Sequence, residues 1–207
     1  MGDIAAGRVR ARYIDALPGR GKTFMLRALV LALRSPSSGR PLIVVNVAPT
    51  GVAASQYLGG FSAPETDGTT AHRRFRITVS TSWDSDDPSA CQVTGGSDVA
   101  AALRVADACV WNELANARGA DFEAVDADLR ELSESDLLFG GVTFIGVGDF
   151  HQIPPIVIGA TPESHLEHLV HQLPLWRHVT VTTLRESVRM GGDPEYSDLL
   201  DAPCTGT

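Results

Sequence analysis

The segment at residues 16–23 constrains the fold of this chain more than any other stretch. It reads Ala-Leu-Pro-Gly-Arg-Gly-Lys-Thr, which is the pattern G-x-x-x-x-G-K-[ST] with alanine in place of the first glycine. Glycines let backbone N–H groups turn towards phosphate oxygens, and the following helix points its positive end at the same anion. The lysine reaches the β- and γ-phosphates, and the threonine hydroxyl binds magnesium. The pattern therefore predicts a nucleotide-binding loop between a strand and a helix.

We expect the nucleotide to contact most of this loop, namely Ala16, Pro18, Gly19, Arg20, Gly21, Lys22 and Thr23. The alternative is a surface turn that contains Gly-Lys-Thr by chance, and Ala16 would oppose any positive φ at the first position. Lys22 is the only lysine among the chain's 17 basic residues. All the other basic residues are arginine. Because arginine cannot replace lysine at a site that needs a compact charge, the single lysine at this position agrees with a role for Lys22 in binding phosphate.

The rest of the chain alternates between predicted strands and helices. Strands are predicted at residues 10–15, 41–48, 108–111, 142–147 and 179–184, and helices at 23–33 and 51–58. Near-continuous apolar strands that alternate with helices are typical of an α/β domain with a mostly parallel sheet and helices on both faces. Residues 61–68 and 78–97 are rich in Ser, Thr, Asp, Gly and Pro, so they predict surface loops.

Composition excludes several classes of function. The net charge is -8, which argues against a protein that coats nucleic acid by bulk electrostatics but allows one local groove for a strand. No apolar run approaches the length of a membrane span, and the N-terminus lacks the apolar segment of a secretion signal. Three scattered cysteines predict free thiols in a reducing, intracellular compartment.

A second set of candidate residues follows the apolar strand at residues 108–111. The stretch 107–113 reads Asp-Ala-Cys-Val-Trp-Asn-Glu, an apolar strand that ends in two polar residues. In ATPases, such a strand end carries an Asp that holds magnesium and a Glu that activates the attacking water. Here Asn112 takes the place of the Asp, and a neutral amide binds a hard cation more weakly than a carboxylate does. A strand with an acidic cap is the alternative interpretation.

Two further polar residues are candidates for contact with the γ-phosphate. Gln152 follows the predicted strand at 142–147, at the sheet edge where parallel sheets bind ligands. A glutamine there orients water, although a simple Gly-Asp turn after the strand is the common alternative. Arg189 follows the strand at 179–184 and would act as an arginine finger, with an ordinary surface arginine as the alternative.

Taken in order, these segments resemble the Pif family of helicases, including the helicase part of Helitron transposons. The resemblance rests on DALPGRGKTF, APTGVAA with the later TTAHRRFRI, DACVWNELA, FGGVTFIGVGDFHQIPPIV and LPLWRHVTVTTLRESVRM, which span almost the whole chain. It implies a RecA-like P-loop fold, ATP and Mg²⁺ as cofactors, and 5′-to-3′ movement on single-stranded DNA. It also implies Glu113 as catalytic base, Gln152 and Arg189 at the γ-phosphate, and Thr23 and Asn112 at the metal.

The resemblance places Thr50, Thr70 and His72 on the DNA side. Arg73, in a basic cluster with Arg74 and Arg76, is either part of a single-strand groove or a solvated strand edge. We expect residues 1–207 to form one RecA-like domain, the first half of a two-domain motor, with the second RecA-like domain absent.

Three functions remain open from the sequence. The first is an ATP-dependent DNA helicase of repair, recombination or transposition, in the nucleus or mitochondrion if the source is eukaryotic. The second is a remnant that binds nucleotide without hydrolysis or unwinding, which Asn112 and the expected lack of a second domain favour for this chain alone. The third is a P-loop kinase or another unrelated NTPase, and the Gly-Asp-Phe-His-Gln segment would have no role in such a kinase.

Overall fold

Six parallel strands form a single sheet in a computed structural model, which describes residues 11–35, 39–55, 68–78, 91–152 and 169–185. The strand order across the sheet is β3-β2-β4-β5-β1-β6, and every pairing of neighbours is parallel. The strands are β1 (Ala11–Asp15), β2 (Val44–Ala48), β3 (Thr69–Thr70), β4 (Ala108–Asn112), β5 (Thr143–Gly148) and β6 (Thr180–Thr183). This order confirms the predicted α/β architecture, and it places the carboxyl ends of β1, β4 and β5 at one edge.

The described residues contain five α-helices and four short 3-10 turns. The α-helices are α1 (Lys22–Arg34), α2 (Gly51–Ser55), α3 (Ala71–Phe75), α4 (Asp98–Arg104) and α5 (Gly119–Leu132). The 3-10 turns are Leu114–Asn116, Leu138–Gly141, Val170–Gln172 and Pro174–His178. In these ranges, no helix is both long enough and apolar enough to cross a membrane.

Alternating side chains give the sheet two separate apolar cores. On one face, Tyr13, Trp111 and Phe144 pack in the cluster that includes the buried side of α5. On the other face, Ile145 packs with Leu26 of α1 and its neighbours Val30 and Leu33. Burying a side chain of this size contributes about 1.5–3 kcal/mol, so both layers hold the sheet in place. The prediction that helices cover both faces of the sheet is confirmed.

Strand β2 starts three residues later than the sequence predicts. Pro41 has no N–H to donate, and the amides of the next two residues donate to acceptors outside the strands. The amide of Leu42 donates to the Leu33 carbonyl at 3.0 Å, and the amide of Ile43 donates to Asp107 Oδ2 at 2.8 Å. The apolar run at 41–43 therefore connects α1 to the sheet and does not extend the strand.

Helix α5 was missed because its buried side carries polar residues. Asp121, Asp126 and Asp128 are all buried on this helix, which breaks the apolar period that marks a helix in sequence. Two of these carboxylates accept hydrogen bonds, one from a neighbour in sequence and one from a residue farther along the chain. Arg118 donates to Asp121 at 2.6 Å, and the amide of Phe139 donates to Asp126 Oδ1 at 2.6 Å.

The Phe-Gly-Gly segment at residues 139–141 is a tight turn that docks β5 against α5. Gly140 has φ 62°, and a side chain there would collide with the backbone carbonyl of Leu129 in α5. The ring of Phe139 stacks on Phe144 with 4.3 Å between centroids. This segment, which contributed to the family resemblance, therefore has a packing role.

The predicted loops are only partly within the described residues. Residues 61–67 and 79–90 lie outside them. The second loop is closed at its base by an antiparallel bridge between Ile77 and Cys91. The basic cluster beside it lies on helix α3, so the strand-edge interpretation of Arg73 was wrong.

Candidate nucleotide-binding site

The loop between β1 and α1 has the backbone that phosphate binding requires. Gly19 has φ 82° and Gly21 has φ 79°, a left-handed conformation that side chains oppose. Helix α1 begins directly after Gly21, so the N–H groups of its first turn face the loop. Ala16 is buried, has no positive φ, and donates its amide to the Gly148 carbonyl at 3.0 Å. The missing first glycine therefore causes no strain.

A cleft of about 370 Å³ opens at this loop, within the size range of small-ligand sites. Its walls come from three parts of the sheet edge: the loop, the end of β4 and the end of β5. The lining residues are Pro18, Gly19, Gly21, Lys22, Thr23, Phe24, Glu113 and Gln152. The structure thus brings together seven of the residues that the sequence assigned to nucleotide or magnesium contacts or to catalysis, and Phe24 is the eighth lining residue.

Two opposite charges face this cleft without pairing. The Nζ atom of Lys22 and the Oε2 atom of Glu113 are both buried, and neither has a hydrogen-bond partner within the described residues. Leaving a charged atom buried and unpaired costs about 1–3 kcal/mol or more. A bound anion with a water molecule would satisfy both atoms, because phosphate oxygens accept from the lysine and water donates to the carboxylate.

Glu113 occupies a strained backbone position. Its φ is 53° and its ψ is 41°, a left-handed conformation that costs a residue with a side chain about 1–3 kcal/mol. The strain lies where β4 ends and the 3-10 turn Leu114–Asn116 begins. Such strain concentrates at functional sites, and here it turns the carboxylate towards the phosphate loop.

Asn112 is not among the residues that line the cleft. Its side chain is buried, with 3% exposure, and its Nδ2 donates to the Ala53 carbonyl of α2 at 3.4 Å. It follows Ala108 and Val110 in strand alternation, so it lies on the sheet face covered by α1. Thr23 does line the cleft. A metal role for Asn112 stays a prediction.

A turn after β5 positions Gln152. The amide of His151 donates to Asp149 Oδ1 at 2.9 Å, and the amide of Gln152 donates to the Asp149 carbonyl at 3.3 Å. These bonds hold the turn so that Gln152 lines the cleft. Arg189 lies outside the described residues, so its predicted contact with the γ-phosphate stays a prediction.

The residues assigned to DNA lie at the far end of the sheet, and two of them cap helices. Thr50 Oγ1 accepts from the Ala53 amide at 3.2 Å, and Thr70 Oγ1 accepts from the Arg73 amide at 3.3 Å. His72 Nε2 lies 3.7 Å from Asp121, and Arg73 is exposed. Because Thr70 pairs with Ala48, these residues share the carboxyl edge of β2 and β3.

Sequence reasoning missed one residue of the cleft. Phe24 lines it with 79% of its surface exposed, although a phenylalanine in a helix is expected to be in the core. Its position directly after Thr23 was the available signal, because the first turn of α1 faces the loop.

Comparison with known proteins identifies related folds. The family model described as PIF1-like helicase matches residues 4–199. Unliganded Pif1 from Bacteroides superposes with a TM-score of 0.73 at 21% identity, covering 98% of this chain and 43% of that one. Bacteroides Pif1 in complex with ADP-AlF3 and ssDNA gives 0.71 at 22% identity, covering 93% and 42%. Pif1 helicase from Candida albicans gives 0.71 at 21% identity, covering 97% and 41%.

The chain thus spans about two fifths of the length of these solved structures. No curated protein sequence matches it.

Proposed function

The chain belongs to the PIF1-like helicase family, and from this premise we propose that it is the ATP-binding part of an ATP-dependent DNA helicase. Such an enzyme couples ATP hydrolysis to 5′-to-3′ movement on single-stranded DNA. The Bacteroides relative in complex with ADP-AlF3 and ssDNA supports both ligands. We extend the proposal to a role in DNA repair, recombination or transposition, inside the cell and, in a eukaryote, in the nucleus or mitochondrion.

The geometry of the loop supports ATP as the nucleotide. Gly19 and Gly21 give the loop the left-handed backbone that turns amides towards phosphate oxygens, and Lys22 brings a buried positive charge to the same cleft. Magnesium fits this cleft through the Thr23 hydroxyl together with phosphate oxygens. When bound, the ion neutralises charge on the phosphates.

The strained carboxylate of Glu113 is the observation that carries the proposal. It lines the same cleft as the lysine, and its buried Oε2 atom lacks a partner in the described part of the chain. A carboxylate held in this way accepts a proton from an attacking water, while Gln152 orients that water from the end of β5. Arg189 would complete the charge around the γ-phosphate.

The DNA would cross the edge formed by β2, β3 and α3. Thr50 and Thr70 cap the helices there, and the exposed Arg73 offers a positive charge to phosphates of a strand. The His72 ring lies 3.7 Å from Asp121 of α5, so this carboxylate holds the ring close to α5. A strand groove that is only locally positive agrees with the net charge of -8.

Replacing Glu113 by glutamine tests this function. The variant keeps the size of the side chain and loses the base, so binding of an ATP analogue should stay within about threefold of the original. Hydrolysis, measured as phosphate release in the presence of single-stranded DNA, should fall by about a hundredfold or more, the usual contribution of a general base. Equal hydrolysis by both proteins would refute the assignment of Glu113.

The second candidate function is a nucleotide-binding module without hydrolysis. The neutral Asn112, buried and bonded to Ala53, favours it because the usual carboxylate for magnesium is missing. In that case the unchanged protein would bind ATP analogue and release phosphate no faster than Glu113→Gln. The same assay therefore separates the two functions.

A further inference from the structure

A second cluster of polar residues lies beside the nucleotide cleft. Asp15 ends β1, and Asp149 and His151 follow β5. The parallel pairing sets Asp15 opposite Gly148, so the carboxylates come from neighbouring positions on adjacent strands. One ligand atom from each of the three residues lies within 4.8 Å of the others. None of the three lines the nucleotide cleft.

Three buried oxygen atoms at this cluster lack partners, whereas Asp149 Oδ1 accepts from the His151 amide at 2.9 Å and lies 3.2 Å from the His151 ring. Asp149 is 1% exposed, and its Oδ2 has no hydrogen-bond partner among the described residues. The same holds for Asp15 Oδ1 and for the hydroxyl of Tyr13, a residue with 0% exposure. Uncompensated negative charge at such depth is unfavourable, and a cation would relieve it.

The cluster has the composition and spacing of a metal site. A tetrahedral ion with bonds of about 2.1 Å holds its ligand atoms about 3.4 Å apart. His151 Nδ1 already lies 3.2 Å from Asp149 Oδ1, and the ligand atom of Asp15, within 4.8 Å of the others, needs a shift of at most about 1.4 Å to join them. Imidazole with two carboxylates suits zinc or manganese, whereas magnesium prefers oxygen ligands alone.

We propose that Asp15, Asp149 and His151 bind one divalent transition cation, with Zn²⁺ as the best fit, at a site separate from the magnesium of the nucleotide. The cation would join the end of β1 to the turn after β5. Because that turn also carries Gln152, the site would fix the glutamine relative to the phosphate loop.

Zinc binding by the full chain without nucleotide tests this proposal, so its outcome does not depend on the proposed ATPase. Titration against a chromophoric chelator should show one Zn²⁺ per chain. His151→Ala should weaken binding by at least about tenfold, the scale on which metal sites lose affinity when a supporting residue is removed. His151 is exposed, so the variant should fold, which circular dichroism will check.

His178→Ala is the matched control, because His178 is also exposed and lies outside the cluster. It should bind Zn²⁺ like the unchanged protein, and a large excess of Mg²⁺ should not displace the zinc. The Co²⁺-loaded protein should show no sulfur charge-transfer band, since the cysteines are not ligands. Equal binding by His151→Ala, a sulfur band, or displacement by Mg²⁺ would each overturn the proposal.

Discussion

Replacing Asn112 by aspartate restores the charge that a magnesium site prefers, at a position where the structure makes that charge costly. The Asn112 side chain is buried and donates through Nδ2 to the Ala53 carbonyl at 3.4 Å. An aspartate carboxylate cannot donate, so it would face that carbonyl oxygen without a hydrogen bond. The substitution therefore has opposite effects on folding and on magnesium binding.

The folding effect follows from the loss of one long hydrogen bond and the burial of a charge. We expect Asn112→Asp to lower the free energy of unfolding by about 1–3 kcal/mol without ligand. For a chain of this size, each kcal/mol corresponds to a fall in the melting temperature of about 2–4 °C. Asn46→Asp is the matched control, because Asn46 is equally buried but lies in the middle of β2. It should destabilise the chain by a similar amount.

The two variants differ in their response to magnesium. If residue 112 faces the metal, Asn112→Asp should bind ATP analogue in a magnesium-dependent manner more tightly than the original, by about 1–3 kcal/mol. Asn46→Asp should show no such gain. Titration of magnesium against analogue binding measures both. Identical magnesium dependence in Asn112→Asp and the original would refute the reasoning and remove residue 112 from the metal site.

Three other substitutions test the packing. Gly140→Ala should cost about 2–4 kcal/mol in chemical unfolding, from positive φ and a clash with a backbone carbonyl; a smaller loss than 1 kcal/mol would contradict this turn. Thr70→Ala should cost about 1 kcal/mol because it removes the cap on the Arg73 amide, and Thr70→Ser should recover most of it. Burial, with a smaller effect of Glu131, raises the pKa of Asp128 from 3.8 to about 6, so its charged form destabilises the fold above that pH. Asp128→Asn should therefore be more stable than the original at pH 7.5, with the difference vanishing as pH falls towards 4 in urea unfolding; a constant difference would refute it.

Most of the sheet could be predicted because its central strands β2, β4 and β5 are almost fully buried. Strands such as 108–112 are buried on both faces, so their sequences are almost continuously apolar. Helix α5 could not be predicted in this way, because its three buried aspartates hide its apolar side. Partners distant in sequence, such as the Phe139 amide on Asp126, make those carboxylates acceptable in the interior. A pattern along the chain does not contain that information.

The candidate site also combines features that the sequence predicts with features that only the structure shows. The loop at 16–23 was predicted because its glycines carry a backbone requirement that the sequence displays directly. The left-handed backbone of Glu113 and the contact between Asn112 and Ala53 depend on how β4 meets α2. Thr50 and Thr70 were assigned to DNA through the family resemblance. The structure adds that each caps the N-terminus of a short helix, a position where threonine is common.

The most direct test of the account is the affinity of Lys22→Ala for a fluorescent ATP analogue. Loss of the charge should weaken binding by about tenfold to a hundredfold, while Arg27→Ala, which removes an exposed charge of the same helix outside the cleft, should bind within about twofold of the original. Because Lys22 Nζ is buried without a partner in the described residues, the alanine variant should be no less stable in thermal unfolding. Unchanged affinity in a folded Lys22→Ala protein would contradict nucleotide binding at this loop.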